Sequence, residues 1–250
     1  MYFFVFKLKH ILIFAAIITA AVLFCTLSKS VPAFSVNGRE IPIYSVERRD
    51  SKAALTFDCA WNAEDIYEIL DALDKFGVSA TFFVTGDWAE KYSDALIEIS
   101  KRGHQIGTHS VSHTDYTTLS PGEIMGDIEK CENIIEDITG IKPYILRAPS
   151  GSYNDKVIKV CEENNRICIQ WSVDGLDYTD DATPGSIYER VIGKAADGDI
   201  ILLHNGTEYT SEILPEILSE LTKHLELVRI DELIYPDNFS IDNTGRQHLN

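Results

Sequence analysis

"LTFDCAW", Leu55–Trp61, runs apolar into an aspartate and then a cysteine. A carboxylate that closes a hydrophobic run marks either a turn or a site. Outward from it, short apolar runs ending in polar residues alternate with amphipathic stretches. Ala53–Phe57 reads as a buried strand. Glu64–Phe76 reads as a helix, with Ile66, Ile69, Leu70, Leu73 and Phe76 on one face and Gly77 as its stop. Ala80–Val84 is the next strand and Ser93–Arg102 the next helix. "HQIGTH" follows, then Ser120-Pro121-Gly122-Glu123, a capping box with proline at the first helical position. The strands "YILR", "ICIQWSV", "DIILLH" and "LVRI" come next, with helices near 155–164, 184–196 and 211–224 between them. Strands alternating with helices argue a parallel α/β sheet. No Gly-rich phosphate turn follows the first strand, which weighs against a nucleotide fold. The expectation is an irregular (β/α) barrel of about seven parallel strands.

Composition narrows the function classes. The chain of 250 residues is 45% hydrophobic and 24% charged, in the ordinary globular range. Its net charge of -17 repels polyanions and excludes nucleic acid as a partner. Five cysteines without a CxxC spacing give no disulfide framework. At the amino terminus, Ile11–Leu27 carries no charge and is flanked by Lys7, Lys9 and Lys29. That pattern favours a retained transmembrane helix over a cleaved signal, with the body outside the cytoplasm; cleavage would make the protein secreted. The expected organisation is an anchor or signal segment over 1–27, a linker and lead-in over 28–52, one catalytic domain over 53–235, and a frayed polar tail over 236–250. A monomer is expected.

Five strands end in chemically capable residues: Asp58, His109, Arg147, Asp174 and His204. In a parallel α/β barrel those ends share one face, where active sites are built. His109 and His113, four apart, converge on one metal if the segment coils. His104 opens its strand and reads as structural. Arg147-Ala148-Pro149-Ser150-Gly151 is either a polar turn or a device in which Arg147 holds Asp58 ionised and backbone N–H groups face an oxyanion. In "DGLDY" either Asp174 or Asp177 can orient a histidine. Tyr178 and Trp171 offer faces for a sugar, or pack in the core. His204 ends an otherwise apolar strand, a position suited to a general acid.

Taken in order, "TFDC", "HSVSH", "RAPSG", "DGLDY" and "LLH" resemble the motifs of the NodB-homology polysaccharide deacetylases, carbohydrate esterase family four, over about Ala53–Leu233. "TFDxxW" and "IQWSVDGLD" look like its sporulation-associated branch. The resemblance implies a metal-dependent hydrolase that removes acetyl groups from an N-acetylated cell-envelope glycan such as peptidoglycan. It makes Asp58 the base, His109 and His113 the ligands of a divalent metal such as zinc, and Arg147 the residue orienting Asp58. His204 becomes the acid, tuned by Asp177, with Ser150, Tyr178 and Trp171 at the substrate. The chain departs from the pattern at Ser150, at Tyr178 and at Cys59, which stands where the family places a metal-binding aspartate. A thiolate is itself a zinc ligand. The alternative is that Cys59 points into the core and leaves two histidines. A barrel without its metal would be a non-catalytic glycan-binding module.

Overall fold

Strand β2, Lys52–Cys59, is the axis of the molecule. The computed structural model describes residues 40–250. The anchor expected over 1–27 lies outside the described residues, as does most of the linker. Among the described residues no helix is long and apolar enough to cross a membrane.

Eight strands form the main sheet. Besides β2 these are β3 (Thr81–Val84), β4 (Gln105–Thr108), β5 (Ile145–Leu146), β6 (Ile167–Cys168), β7 (Val173–Asp174), β8 (Ile200–His204) and β9 (Glu226–Val228). Their order is β6-β5-β4-β3-β2-β8-β7, with β9 beside the start of β2, and every pairing is parallel. The helices are α1 (Ile66–Phe76), α2 (Gly86–Lys91), α3 (Ser93–Lys101), α4 (Pro121–Thr139), α5 (Asp155–Glu163), α6 (Pro184–Ile192), α7 (Thr210–Leu221) and α8 (Ile230–Leu233).

Alternation along β2 sorts its side chains into two layers. Ala53, Leu55, Phe57 and Cys59 pack with Ile66, Ile69, Leu70 and Leu73 of α1 and with α7. Full burial of each such aliphatic side chain contributes about 1.5–3 kcal/mol. Ala54 faces the other way, among Phe83, Ile145, Ile169 and Ile200. Gly77, at φ 65, ends α1 in the left-handed conformation, and the expected capping box of Ser120 and Glu123 opens α4.

The sheet is a curled half-barrel rather than a closed ring, because β6 and β7 do not pair. "ICIQWSV", expected as one strand, is two short ones. Within a few residues the backbone changes partner: Ile169 N–H donates to Leu146 O, Gln170 N–H to Ile43 O, and Ser172 N–H to Ile200 O. The segment therefore crosses from one edge of the sheet to the other, and Ile43 of the lead-in bridges the gap at Ile169.

Two further elements escaped the sequence pattern. Helix α2 is too short for periodicity to show, but the Thr85 side chain accepts from Trp88 N–H and caps it. The tail, expected to fray, forms β10 (Phe239–Ile241) and β11 (Arg246–Leu249), which joins β1 (Ser45–Val46) of the lead-in in a three-stranded sheet. Its turn is built by Asp242, which accepts from Thr244 N–H and Arg246 N–H, with Gly245 at φ 81. Gln247 is buried and exchanges two hydrogen bonds with the Tyr235 backbone.

Candidate active site

Asp58 and His204 are register partners at the carboxyl ends of neighbouring strands β2 and β8. Both face the interior of the half-barrel, on one cavity of about 200 Å³ with His109, His113, Ser150, Trp171 and Tyr178 among its walls. The structure thus brings together the expected residues from separate strands, with Arg147 and Asp177 just behind them.

Arg147 is fully buried. It donates from Nη1 to Asp58 Oδ1 at 2.6 Å, and from Nη2 to Thr56 Oγ1 at 3.0 Å and Gln170 O at 3.1 Å. Its guanidinium carbon lies 4.2 Å from the ring centroid of Phe83 and 5.4 Å from that of Trp171. Burial alone would raise the Asp58 carboxyl. Arg147, His109 and His204 outweigh it and hold Asp58 below the usual carboxylate range, ionised at neutral pH.

Past β4 the chain coils through positive φ at Ser110 and His113, and the two histidine rings meet edge to face with centroids 4.9 Å apart. His109 Nδ1 lies 2.9 Å from the carbonyl oxygen of Arg147, which can only accept, so Nδ1 carries the proton. Nε2 then presents a lone pair to Asp58 Oδ2 at 3.5 Å. Burial pushes His109 down to about 4 and also lowers His113, so both imidazoles are neutral at pH 7.

Two acceptors facing each other across 3.5 Å suit a cation between or beside them, and neutral imidazoles are the form that binds metal. His109 and His113 therefore fit a metal. Cys59 does not. Its side chain is fully buried among the helix-facing residues of β2, on the opposite face from Asp58, and burial together with Asp58 and Asp65 drives its thiol well above its ordinary value. A thiolate ligand at Cys59 is thereby corrected to a core side chain. Among the described residues no three His, Cys, Asp or Glu side chains form a metal-holding group.

On the other side of the cavity, Asp177 rather than Asp174 orients the histidine. Asp177 Oδ1 meets His204 Nδ1 at 2.8 Å, while its Oδ2 accepts from His204 N–H and from Thr210 Oγ1, both at 2.6 Å. Burial pulls His204 down, but the hydrogen bond and charge of Asp177 outweigh it and raise His204 above its ordinary value. Asp174 instead accepts from Leu176 N–H and caps its own turn. Ser150, at φ 55 in a turn of 3-10 helix over Pro149–Gly151, is exposed at the cavity mouth. His104 is structural, accepting from Ala80 N–H through Nδ1.

Three contributors were not singled out from the sequence. Trp61 lies against His204 with ring centroids 5.3 Å apart, and Tyr178 meets the same ring at 4.9 Å. Thr56 supports Arg147, and Thr210 supports Asp177. The spacing of Thr56 and Asp58 along one strand was the available signal, since i and i+2 share a face.

Fold and site together define a parallel α/β half-barrel with a carboxylate–arginine pair facing a carboxylate–histidine pair beside two neutral histidines. A family model described as Polysaccharide deacetylase matches residues 45–166. The chain is 34% identical over 190 residues to the peptidoglycan-N-acetylmuramic acid deacetylase PdaC of Bacillus subtilis, a match covering 76% of this chain and 40% of that one. Among solved structures, the Bc1960 peptidoglycan N-acetylglucosamine deacetylase is 31% identical at a TM-score of 0.74, covering 78% of this chain and 92% of that one. BA3943 of Bacillus anthracis, described as a CE4 family pseudoenzyme, is 29% identical at a TM-score of 0.74, covering 88% and 77%. The chain belongs to the polysaccharide deacetylase family, carbohydrate esterase family 4. It spans 40% to 56% of the length of the first curated relatives.

Proposed function

We propose that the chain is a hydrolase that removes N-acetyl groups from a cell-envelope polysaccharide, peptidoglycan or a related N-acetylglycan. One observation carries this reading: Asp58 and His204 stand in register on one cavity, and each has its own buried partner setting its charge. Asp58, ionised by Arg147, takes the proton of the attacking water. His204, whose protonated form Asp177 favours, gives a proton to the leaving amine. The Ser150 backbone N–H, the one in the Pro149–Gly151 turn not removed by proline or given to Ala148 O, faces the developing oxyanion, and Trp171 and Tyr178 flank the sugar. A divalent metal such as zinc, held by His109 and His113, would supply Lewis-acid polarisation of the acetyl carbonyl.

Acetate release from N-acetylglucosamine oligomers and from peptidoglycan by the full-length protein tests the reading. Asp58→Asn and His204→Ala should each lower turnover by about 10²–10⁴. Wild-type rates in both variants would refute these roles.

A second reading, a non-catalytic glycan-binding barrel, is favoured by Cys59 alone, since its thiol leaves the metal two protein ligands. The uncharged run Ile11–Leu27 supports a position outside the cytoplasm, and "TFDxxW" with "IQWSVDGLD" supports the sporulation-associated branch. Membrane sedimentation of the full-length protein, and its timing of expression, test these two assignments.

A further inference from the structure

Between α5 and β6 the chain makes a turn that lays two cysteines side by side. Asn165, at φ 56, is left-handed; Arg166 N–H donates to Cys161 O at 2.8 Å and Asn165 N–H to Glu162 O at 3.1 Å. This pair of bonds is a Schellman closure, which folds the chain back over the last turn of its own helix. Arg166 then fixes the turn from α4, with Nε and Nη2 each 2.7 Å from a carboxylate oxygen of the buried Glu132.

Side chains alternate along the strand that follows. Ile167 and Ile169 pack with Ile43 and Ile145, whereas Cys168 between them joins Val157, Ile158 and Cys161 of α5. Cys161 and Cys168 are both buried, and their thiols are hydrogen-bonded to each other. Cys59 and Cys131 belong to a different cluster, where Cys131 gives its thiol to Val84 O at 3.6 Å. Residues 161 and 168 match no cysteine motif in their spacing, so the pairing shows only in the fold.

We propose that Cys161 and Cys168 are a disulfide site, joined when the chain meets a disulfide-bearing oxidant. One cysteine thiolate attacks the oxidant's S–S bond and releases one thiol. The other then displaces the second, leaving one new S–S bond and two released thiols that carry the protons. The two cysteines are oxidised and the oxidant's sulfurs reduced. The hydrogen bond from Cys168, with burial, raises the Cys161 thiol well above its ordinary value, so exchange is slow in the folded state and the bond forms as the segment folds. Strand β6 is the edge beyond β5 and leads directly into Gln170, whose carbonyl accepts from Arg147. The disulfide braces that edge against α5. A domain outside the cytoplasm meets such oxidants. The pairing itself follows from the fold and stands apart from the deacetylase reading.

The full-length protein, in detergent, is refolded from urea in a mixture of reduced and oxidised glutathione; a second sample stays in urea in the same mixture. Free thiols are blocked with N-ethylmaleimide and the protein is digested with trypsin. Mass spectrometry should find peptide 160–166 linked to peptide 167–190, two hydrogens lighter than their sum, with Cys59 and Cys131 alkylated. The ratio of disulfide to dithiol should be at least about tenfold higher in the refolded protein than in urea, because a bond that stabilises the fold is favoured by it equally. Oxidised protein should melt about 4–8 °C above reduced protein, a difference that Cys168→Ala abolishes. Equal ratios in the two samples, linkage to Cys59 or Cys131 instead, an oxidised protein that melts no higher, or a melting difference that survives in Cys168→Ala would overturn the proposal.

Discussion

Asp177 holds His204 at both ends, one carboxylate oxygen accepting from its backbone N–H and the other bonded to its ring. The acid is thereby fixed in place and its charged form is favoured. A general acid works while protonated, so activity is present below the folded pKa of His204 and is lost as pH rises through it. Asp177→Asn removes the charge that raises this pKa and leaves the burial that lowers it. The alkaline limb of the kcat profile should move to lower pH, and the maximum should fall by about 10²–10⁴. An unmoved limb would assign it to another group.

Arg147 is the residue whose loss the fold should feel most. Its partner Asp58 is buried, and truncation to alanine strands that charge, which costs about 3–5 kcal/mol. Urea denaturation of Arg147→Ala should show a loss of this size. The double variant Arg147→Met, Asp58→Leu should regain much of it while remaining inactive. A single variant as stable as wild type would mean that Asp58 is not held ionised.

Cys59→Ala should leave zinc affinity unchanged, because the thiol lies on the far face of β2. Cys59→Asp is the sharper variant. A carboxylate left in the helix-facing core costs several kcal/mol, so a marked fall in thermal stability without a gain in zinc affinity is expected. Equilibrium dialysis showing alanine to lose zinc would restore the cysteine as a ligand.

His248 sits between Glu47 at 2.8 Å and Asp242 at 3.0 Å, tying the tail to the lead-in. Hydrogen bonds to Asp242 and then to Glu47 raise its pKa. The stability it contributes is therefore fully present below the unfolded value of about 6.5 and is lost as pH rises through the folded value. The triad is partly exposed, so solvent screens it and the effect is modest. Melting curves from about pH 6 to about pH 9 should fall more steeply for wild type than for His248→Gln.

Much of this was legible because strand ends and helix faces leave local marks. The run of Ala53–Phe57 into Asp58 placed β2, and polar residues closing apolar runs placed Arg147 and His204. What escaped depends on contacts distant in sequence. Nothing local in "ICIQWSV" shows that its backbone changes partner from Leu146 to Ile43 to Ile200. Which way Cys59 points follows from counting along β2, Asp58 inward and Cys59 outward, and that count needed the core on both sides to be known. The tail looked frayed because its polar turn residues were read apart from the buried Gln247 they serve.

The gap between β6 and β7 bears on where the chain can be cut. Ile43 O accepts from Gln170 N–H, Gln170 O accepts from Arg147, and Arg147 holds Asp58. Three peptide groups and a guanidinium thus connect the lead-in to the base across the seam. A chain begun at Ser45, where the family match starts, would keep every catalytic side chain and lose the tether behind them. One begun at Val36 keeps it, so the working boundary of the domain lies upstream of the motifs that define it.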